Sequence, residues 1–350
     1  MNVSSKLLST ALDQVLNQTR QLNQAPEQDT SVLSRETLLF PLDELELLTI
    51  EGRDRRRFLH AMLSGEVAAL TAGAGVWATF NNIKGRTIAD IRLLDIDPDP
   101  KQGSMLALLE TGASEPLIES LDRFIIAEKV FFERPDGLCL WLLAGATADE
   151  TLRDLGLEVP EQAPLAHCPI SRDGLEARVV RMDRSHSEAR DLLLIVPQQQ
   201  EELMLSLLSE IPRGSSELLA AARIEAGPPR FGIDFTHGNI PLEANLADRA
   251  INFNKGCYPG QEVICRINSM GAPARRLMRL QVTAERPPEP GTVLFHGKRE
   301  VGYITSAIRS AQCQPIAALG YVRKKLCEAG TMFHVGEVGA AAEAQVLESA

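Results

Sequence analysis

Residues 255–262 read KGCYPGQE, and the chain changes character on either side of them. Upstream, strand-like and helix-like stretches alternate; downstream of Gly271 only short strands and turns follow. Proline suits the first turn of a helix and glycine tolerates unusual dihedrals, so YPGQEVICRIN is expected to start a helix right after Cys257. A thiol near a helix N-terminus gains from unpaired amide donors and the positive dipole end, and Lys255, two residues back on an extended segment, adds a cation on the same side. Those features point to an activated thiol. The same residues admit a plainer role, a small buried hydrophobe, which is what most free cysteines are. Cys265, with Val263 and Ile264 around it inside the helix, suits that plainer role better.

Working upstream, Leu38 onward is strand-like, and EGRDRRRFLHAMLSGEVAAL places Phe58, Leu59, Met62, Leu63 and Val67 at helical spacing. VWATFNNIKGRTIADIRLLDID reads as two strands joined near NNIKG, SMLALLE as another strand, and SEPLIESLDRFIIA as a helix. KVFFERPDGLCLWLLAG is expected to be a hairpin around Pro135-Asp136-Gly137, TADETLRDLGL a helix, and residues 201–226 one more helical run. This mixture predicts an α+β region with ferredoxin-like parts. Downstream, RLMRLQVTA, GTVLFHG, REVGYITSAIRS, PIAALGYVRK and GTMFHVG are short strands at close spacing, the pattern of a small antiparallel barrel. The expected division is an N-terminal helical arm at 1–32, with an amphipathic helix over 4–23, a two-lobed α+β region at 33–270, and a β-barrel at 272–345.

Composition narrows the function classes. The formal net charge of −11 over 350 residues opposes sequence-independent binding to nucleic acid, which relies on cations neutralising phosphates. The basic run GRDRRR at 52–57 is expected to be a solvated face. No apolar stretch approaches the roughly 20 residues that span a bilayer, and the N-terminus lacks a secretory pattern, so the expectation is a cytoplasmic protein without a membrane partner. The cysteines at 139, 168, 257, 265, 313 and 327 include no CxxC pair, and no HxxxH or HExxH spacing offers a metal site. GAGVWA at 73–78 carries the letters of a dinucleotide motif but follows a helix and precedes a strand, the reverse of the required order.

KGCYPGQE resembles the signature of the YgfZ-type folate-binding proteins, the iron–sulfur-cluster branch of the glycine-cleavage T-protein (aminomethyltransferase) family. IEGRDRRRFLHAMLSGEV, NNIKGRTIADIRLL, RIEAGPPRFGIDF, PLEANL, GYITSAIRS and IAALGYV resemble further segments of that family in the same order, covering about residues 38 to 340. The resemblance implies a three-lobed ring with ferredoxin-like α+β parts and a C-terminal antiparallel β-barrel, and a central channel for tetrahydrofolate or a derivative.

By the same resemblance, Glu225, Glu243 and Asp90 are the carboxylates that match family segments and suit the donors of a pterin, with Arg223 and Tyr258 as further folate-binding candidates. Where the T-proteins have paired aspartates, this chain reads Ala89-Asp90, so one carboxylate of the pair is missing. The implied function is a folate-dependent accessory factor for iron–sulfur clusters, [4Fe–4S] in particular, in the setting of tRNA modification. Cys257 is then the functional thiol, Lys255 and Asp90 are the other catalytic candidates, with Asp90 facing the bound folate, and cluster-assembly proteins or client enzymes are the partners. Cys257 is a transient iron ligand at most, because no other cysteines stand at ligand spacing. Two alternatives stay open: a tetrahydrofolate-dependent one-carbon transferase centred on Asp90, and a ligand-gated scaffold without chemistry.

Overall fold

The structure, a computed structural model, describes residues 26–182, 191–311 and 316–349. The expected helix over 4–23 and Cys313 lie outside the described residues. The chain forms two compact units, one of residues 32–214 with 247–263, the other of 215–246 and 264–350 together with the described residues up to Ser31.

Among the described residues the first unit contains ten strands, in chain order β1 (Leu38–Pro41), β2 (Leu45–Glu51), β3 (Gly75–Asn81), β4 (Thr87–Asp95), β5 (Ser104–Glu110), β6 (Phe131–Glu133), β7 (Leu138–Ala144), β8 (His167–Arg172), β9 (Leu175–Met182) and β10 (Asp191–Pro197). They make two five-stranded sheets, ordered β3-β4-β5-β2-β6 and β1-β7-β10-β9-β8, with every pairing antiparallel. Alternation along the strands sends Ala78, Phe80, Ala89, Ile91, Leu93, Met105, Ala107 and Leu109 into one core, against Phe58 and Leu59 of α1 (Arg55–Met62) and Leu117 and Leu121 of α2 (Ser114–Leu121). The second sheet packs Trp141, Leu143, Val179, Leu192 and Leu194 with Leu152 of α3 (Ala148–Asp154) and Met204 of α4 (Glu201–Leu207).

Three local expectations differ from what forms. The segment 131–144 is not a hairpin, because β6 pairs with β2 in one sheet while β7 pairs with β1 and β10 in the other. Pro135-Asp136-Gly137 turns the chain between sheets. The helical run 201–226 is two helices, α4 and α5 (Ser216–Ala226), because Pro212 and Gly214 intervene and Pro212 and Gly214 instead bond Leu39 of β1. The basic run at 52–57 is half internal. Arg55, 2% exposed, donates to the carbonyls of Gly52, Asp97 and Asp99, and Arg56 pairs with Asp95 at 2.6 Å and donates to the carbonyls of Val67 and Leu70. A guanidinium's five donors suit it to satisfying loop carbonyls, and that role wins here over solvation.

In the second unit β11 (Arg275–Thr283), β12 (Val293–His296), β13 (Arg299–Arg309), β14 (Ile316–Arg323), β15 (Met332–Val335) and β16 (Glu343–Ser349) close into an antiparallel barrel in the order β11-β14-β13-β12-β15-β16. Its interior holds Met278, Leu280, Val282, Leu294, Ile304, Ala318 and Val346. Helix α5, capped by the Ser215 hydroxyl accepting from Leu218 N, lays Ala221 and Ile224 against Leu277, Ile308, Leu319 and Tyr321 on the outside of the barrel. The fold is thus mixed α and β with a closed six-stranded C-terminal barrel, as expected. No described helix is long and apolar enough to cross a membrane.

Candidate functional site

The octet at 255–262 lies in the first unit, after α6 (Ala247–Ala250), and runs into the first two residues of α7 (Gln261–Ser269). Helix α7 begins at Gln261, not directly after Cys257; Tyr258 to Gly260 intervene. A helix-end field fades within one turn, so the amide ends of α7 act on the thiol less than the sequence suggests. What holds the loop instead is a series of anchors on the turn that follows α1 and on β3. Ser64 Oγ donates to the Ala250 carbonyl at 2.6 Å, Asn252 N donates to the Ser64 carbonyl at 2.9 Å, and Ser64 Oγ also meets Thr79 of β3 at 3.0 Å. Asn252 Nδ2 reaches Glu66 at 3.3 Å.

Lys255 makes the tightest of these anchors. Its Nζ donates to the carbonyls of His60, Leu63 and Gly65 at 2.6, 2.7 and 2.7 Å. Two of these lie at the C-terminal end of α1, where helix carbonyls have no partner of their own and the dipole is negative. An ammonium carries three protons, so its hydrogen bonds go to the backbone of that turn rather than to the neighbouring thiol. Burial lowers the Lys255 pKa to about 8 against the opposing pull of Glu66, and burial followed by the Lys255 charge lowers that of His60. The ammonium also stands 5.6 Å from the ring centroid of Tyr258, which is buried at 6% exposure.

Beyond the cysteine, Gly260 adopts φ +82° against the turn joining β3 and β4; a Cβ there would fall 2.5 Å from the Asn82 carbonyl oxygen and 2.8 Å from Gly85 Cα. Gln261 Nε2 closes the loop on the Lys255 carbonyl at 3.3 Å. Between these fixed points Gly256 and Cys257 are exposed. Cys139, Cys168, Cys265 and Cys327 are half-buried, and burial raises the thiol pKa of Cys139 to about 11 and raises those of Cys168 and Cys327. Among the described residues, no three His, Cys, Asp or Glu side chains group as a metal site.

Asp90 lies on β4 in the same unit, 1% exposed. The Trp77 indole N–H donates to one of its oxygens, Arg92 approaches the other at 3.4 Å, and the Arg92 guanidinium lies 4.3 Å over the Trp77 ring. The remaining candidates belong to the barrel unit and fall into separate networks. Glu225 accepts from Thr30 at 2.5 Å and from the Ser310 hydroxyl. Glu243 pairs in a fork with Arg275 at 3.0 and 3.2 Å and accepts from Asn239; Arg275 in turn lies 5.0 Å from the Tyr321 ring centroid. Arg223 is buried and donates to Asp234 at 2.5 Å, to the Pro228 carbonyl and to Ser306. Sequence reasoning missed Asp234, the centre of that last network, which also accepts from Thr305, Ser306 and Arg230 N. Its segment FGIDF was noticed, but a buried carboxylate on a loop has no periodicity to mark it.

Residues 275–350 match the family described as the glycine cleavage T-protein C-terminal barrel domain. The glycine cleavage system aminomethyltransferase T of Bartonella henselae superposes with a TM-score of 0.79 at 20% identity, covering 91% of this chain and 87% of that one. The chain therefore has the T-protein fold. It is 28% identical to the tRNA-modifying protein YgfZ of Escherichia coli O127:H6 over 301 residues, 81% of this chain and 85% of that protein, and 28% identical to YgfZ of Yersinia pestis Pestoides F over 278 residues, 77% and 80%. Over most of its length the chain is therefore similar to the YgfZ proteins, and it carries the T-protein fold.

Proposed function

We propose that this chain is a tetrahydrofolate-binding accessory factor for the assembly or maintenance of iron–sulfur clusters, [4Fe–4S] in particular, and that it serves tRNA modification through the cluster-dependent enzymes it supports. The observation that carries this reading is Cys257, an exposed thiol on a loop whose flanking residues are fastened from both sides. A thiol so displayed can ligate an iron of a passing cluster as the thiolate, releasing its proton to solvent as it binds. With no second and third ligand grouped around it among the described residues, the cluster is cargo rather than a resident centre. The name of the YgfZ relatives supports the setting in tRNA modification, and the T-protein fold supports a folate.

Of the folate candidates, Glu225 keeps acceptor capacity that suits a pterin. A carboxylate offers about four acceptor sites, and half-buried Glu225 has donors on each oxygen, Thr30 and Ser310, with capacity left for the amino and ring N–H groups of a pterin. Tetrahydrofolate, when bound, would supply a reduced one-carbon carrier; the chain's own part is to accept those N–H groups.

The test is complementation of a cluster-maintenance defect with wild type, Cys257→Ala and Cys265→Ala, read through [4Fe–4S] enzyme activity. Cys257→Ala is expected to fail and Cys265→Ala to succeed; equal rescue by both overturns the proposal. The one-carbon transferase remains the second reading because of the fold shared with an aminomethyltransferase. It predicts turnover of an aminomethyl donor that survives Cys257→Ala and is lost in Asp90→Asn.

A further inference from the structure

One ammonium filling three backbone carbonyls is an unusual way to use a lysine in a motif that also displays a thiol. Ordinary surface lysines keep their charge in water, and a half-buried one gives up hydration that must be replaced. Here each of the three N–H donors meets a carbonyl, all within 2.7 Å. The acceptors come from residues 60 to 65, about 190 positions upstream, so the side chain ties two distant backbone segments together. The turn that provides them is itself closely packed. A Cβ at Gly65 would fall 2.9 Å from the Ala78 Cβ, the Trp77 carbonyl oxygen and Val76 Cγ2, so this turn lies directly on β3. The charged groups facing the ammonium are His60 and Glu66, and Tyr258 covers it.

We infer that Lys255 is a positioning residue: it caps the C-terminal end of α1 as an internal cation and thereby fixes the backbone that presents Cys257, without setting the ionisation of the thiol by direct contact. The carbonyl cradle it fills is a site for a primary ammonium group. The importance of this anchoring for function rests on Cys257 being the working thiol. The anchoring itself is measured without reference to folate or clusters, so the two readings fail separately.

The experiment uses the full chain with Lys255→Ala, Lys255→Met and Lys255→Arg, and reads amide hydrogen exchange by residue together with the pH profile of Cys257 alkylation by iodoacetamide. Losing hydrogen bonds to a charged group is expected to speed exchange in 252–261 by about tenfold to a hundredfold, while amides of β5 in the same unit keep their protection. Methylammonium should restore protection in Lys255→Ala; tetramethylammonium, which has no N–H donors, at equal ionic strength should not. Lys255→Arg, which keeps donors and charge, should lie between wild type and Lys255→Met. The midpoint of the alkylation profile should coincide in wild type and Lys255→Met. Unchanged exchange in 252–261, or an equal rise in β5, overturns the inference, as does an alkylation midpoint that moves upward with protection intact, the mark of a lysine acting on the thiol by charge.

Discussion

The Cys257 loop and the Asp234 cluster are both stitched from polar contacts across long stretches of sequence, yet they differ in what they leave exposed. Around Asp234 every polar group turns inward: Arg223, Thr305, Ser306 and Arg230 N converge on a carboxylate that is 1% exposed. Around Cys257 the anchors turn inward and the thiol is left outside. A network closed on itself fixes a fold, whereas one that satisfies its neighbours and leaves one side chain exposed presents that side chain to solvent.

The contrast breaks most sharply at Asp234. Asp234→Asn leaves the Arg223 charge buried without its counter-ion, an expected loss of about 3–5 kcal/mol in urea unfolding of the barrel unit. Cys257 alkylation of the folded fraction should be unaffected, and a loss below about 1 kcal/mol would mean that this charge pair is not what secures the barrel side. Gly260→Ala comes next, because the new methyl meets the Asn82 carbonyl at a positive φ. It is expected to cost about 1–3 kcal/mol and to alter the alkylation rate of Cys257, since the loop must shift to make room. Ser64→Ala removes the donor to the Ala250 carbonyl from a buried site and is expected to cost a similar or slightly smaller amount, about 1–3 kcal/mol by thermal unfolding.

A pH series sharpens the comparison on the loop side. Burial holds the Lys255 pKa near 8 in the folded protein, against 10.5 when unfolded. Between those values the unfolded chain binds the extra proton, so this group's contribution to stability rises with pH across that window and is at its least favourable below it. Denaturation midpoints compared between neutral and alkaline pH should show this rise in wild type and lack it in Lys255→Met; identical slopes would place the ammonium in water. The smallest effect belongs to Glu243→Gln, whose partner Arg275 is partly exposed: less than about 1 kcal/mol, shrinking further with added salt.

Much of this was legible in the chain. The barrel strands announced themselves by alternation and turn residues, and β3, β4 and β5 by the same signals around NNIKG. The 131–144 hairpin was misread because a strand, a Pro-Asp-Gly turn and another strand look identical whether the strands pair with each other or leave for different sheets. Sequence periodicity reports which face is buried, not which partner is chosen. Cys257 and Lys255 stood out by residue type and spacing, but the lysine's partners did not. They are main-chain oxygens 190 or more residues away, and a carbonyl has no letter of its own. Arg55 and Arg56 were hidden for the complementary reason, since a run of arginines carries the same letters in water or against a loop.

That the cradle under Lys255 is made of main chain has a consequence for how such a motif drifts. Mutations at position 60 exchange one helix-compatible side chain for another and leave the oxygen where it was. A family alignment is therefore expected to show a lysine held constant opposite a helix end whose own letters wander, so that the two halves of the contact leave no correlated trace.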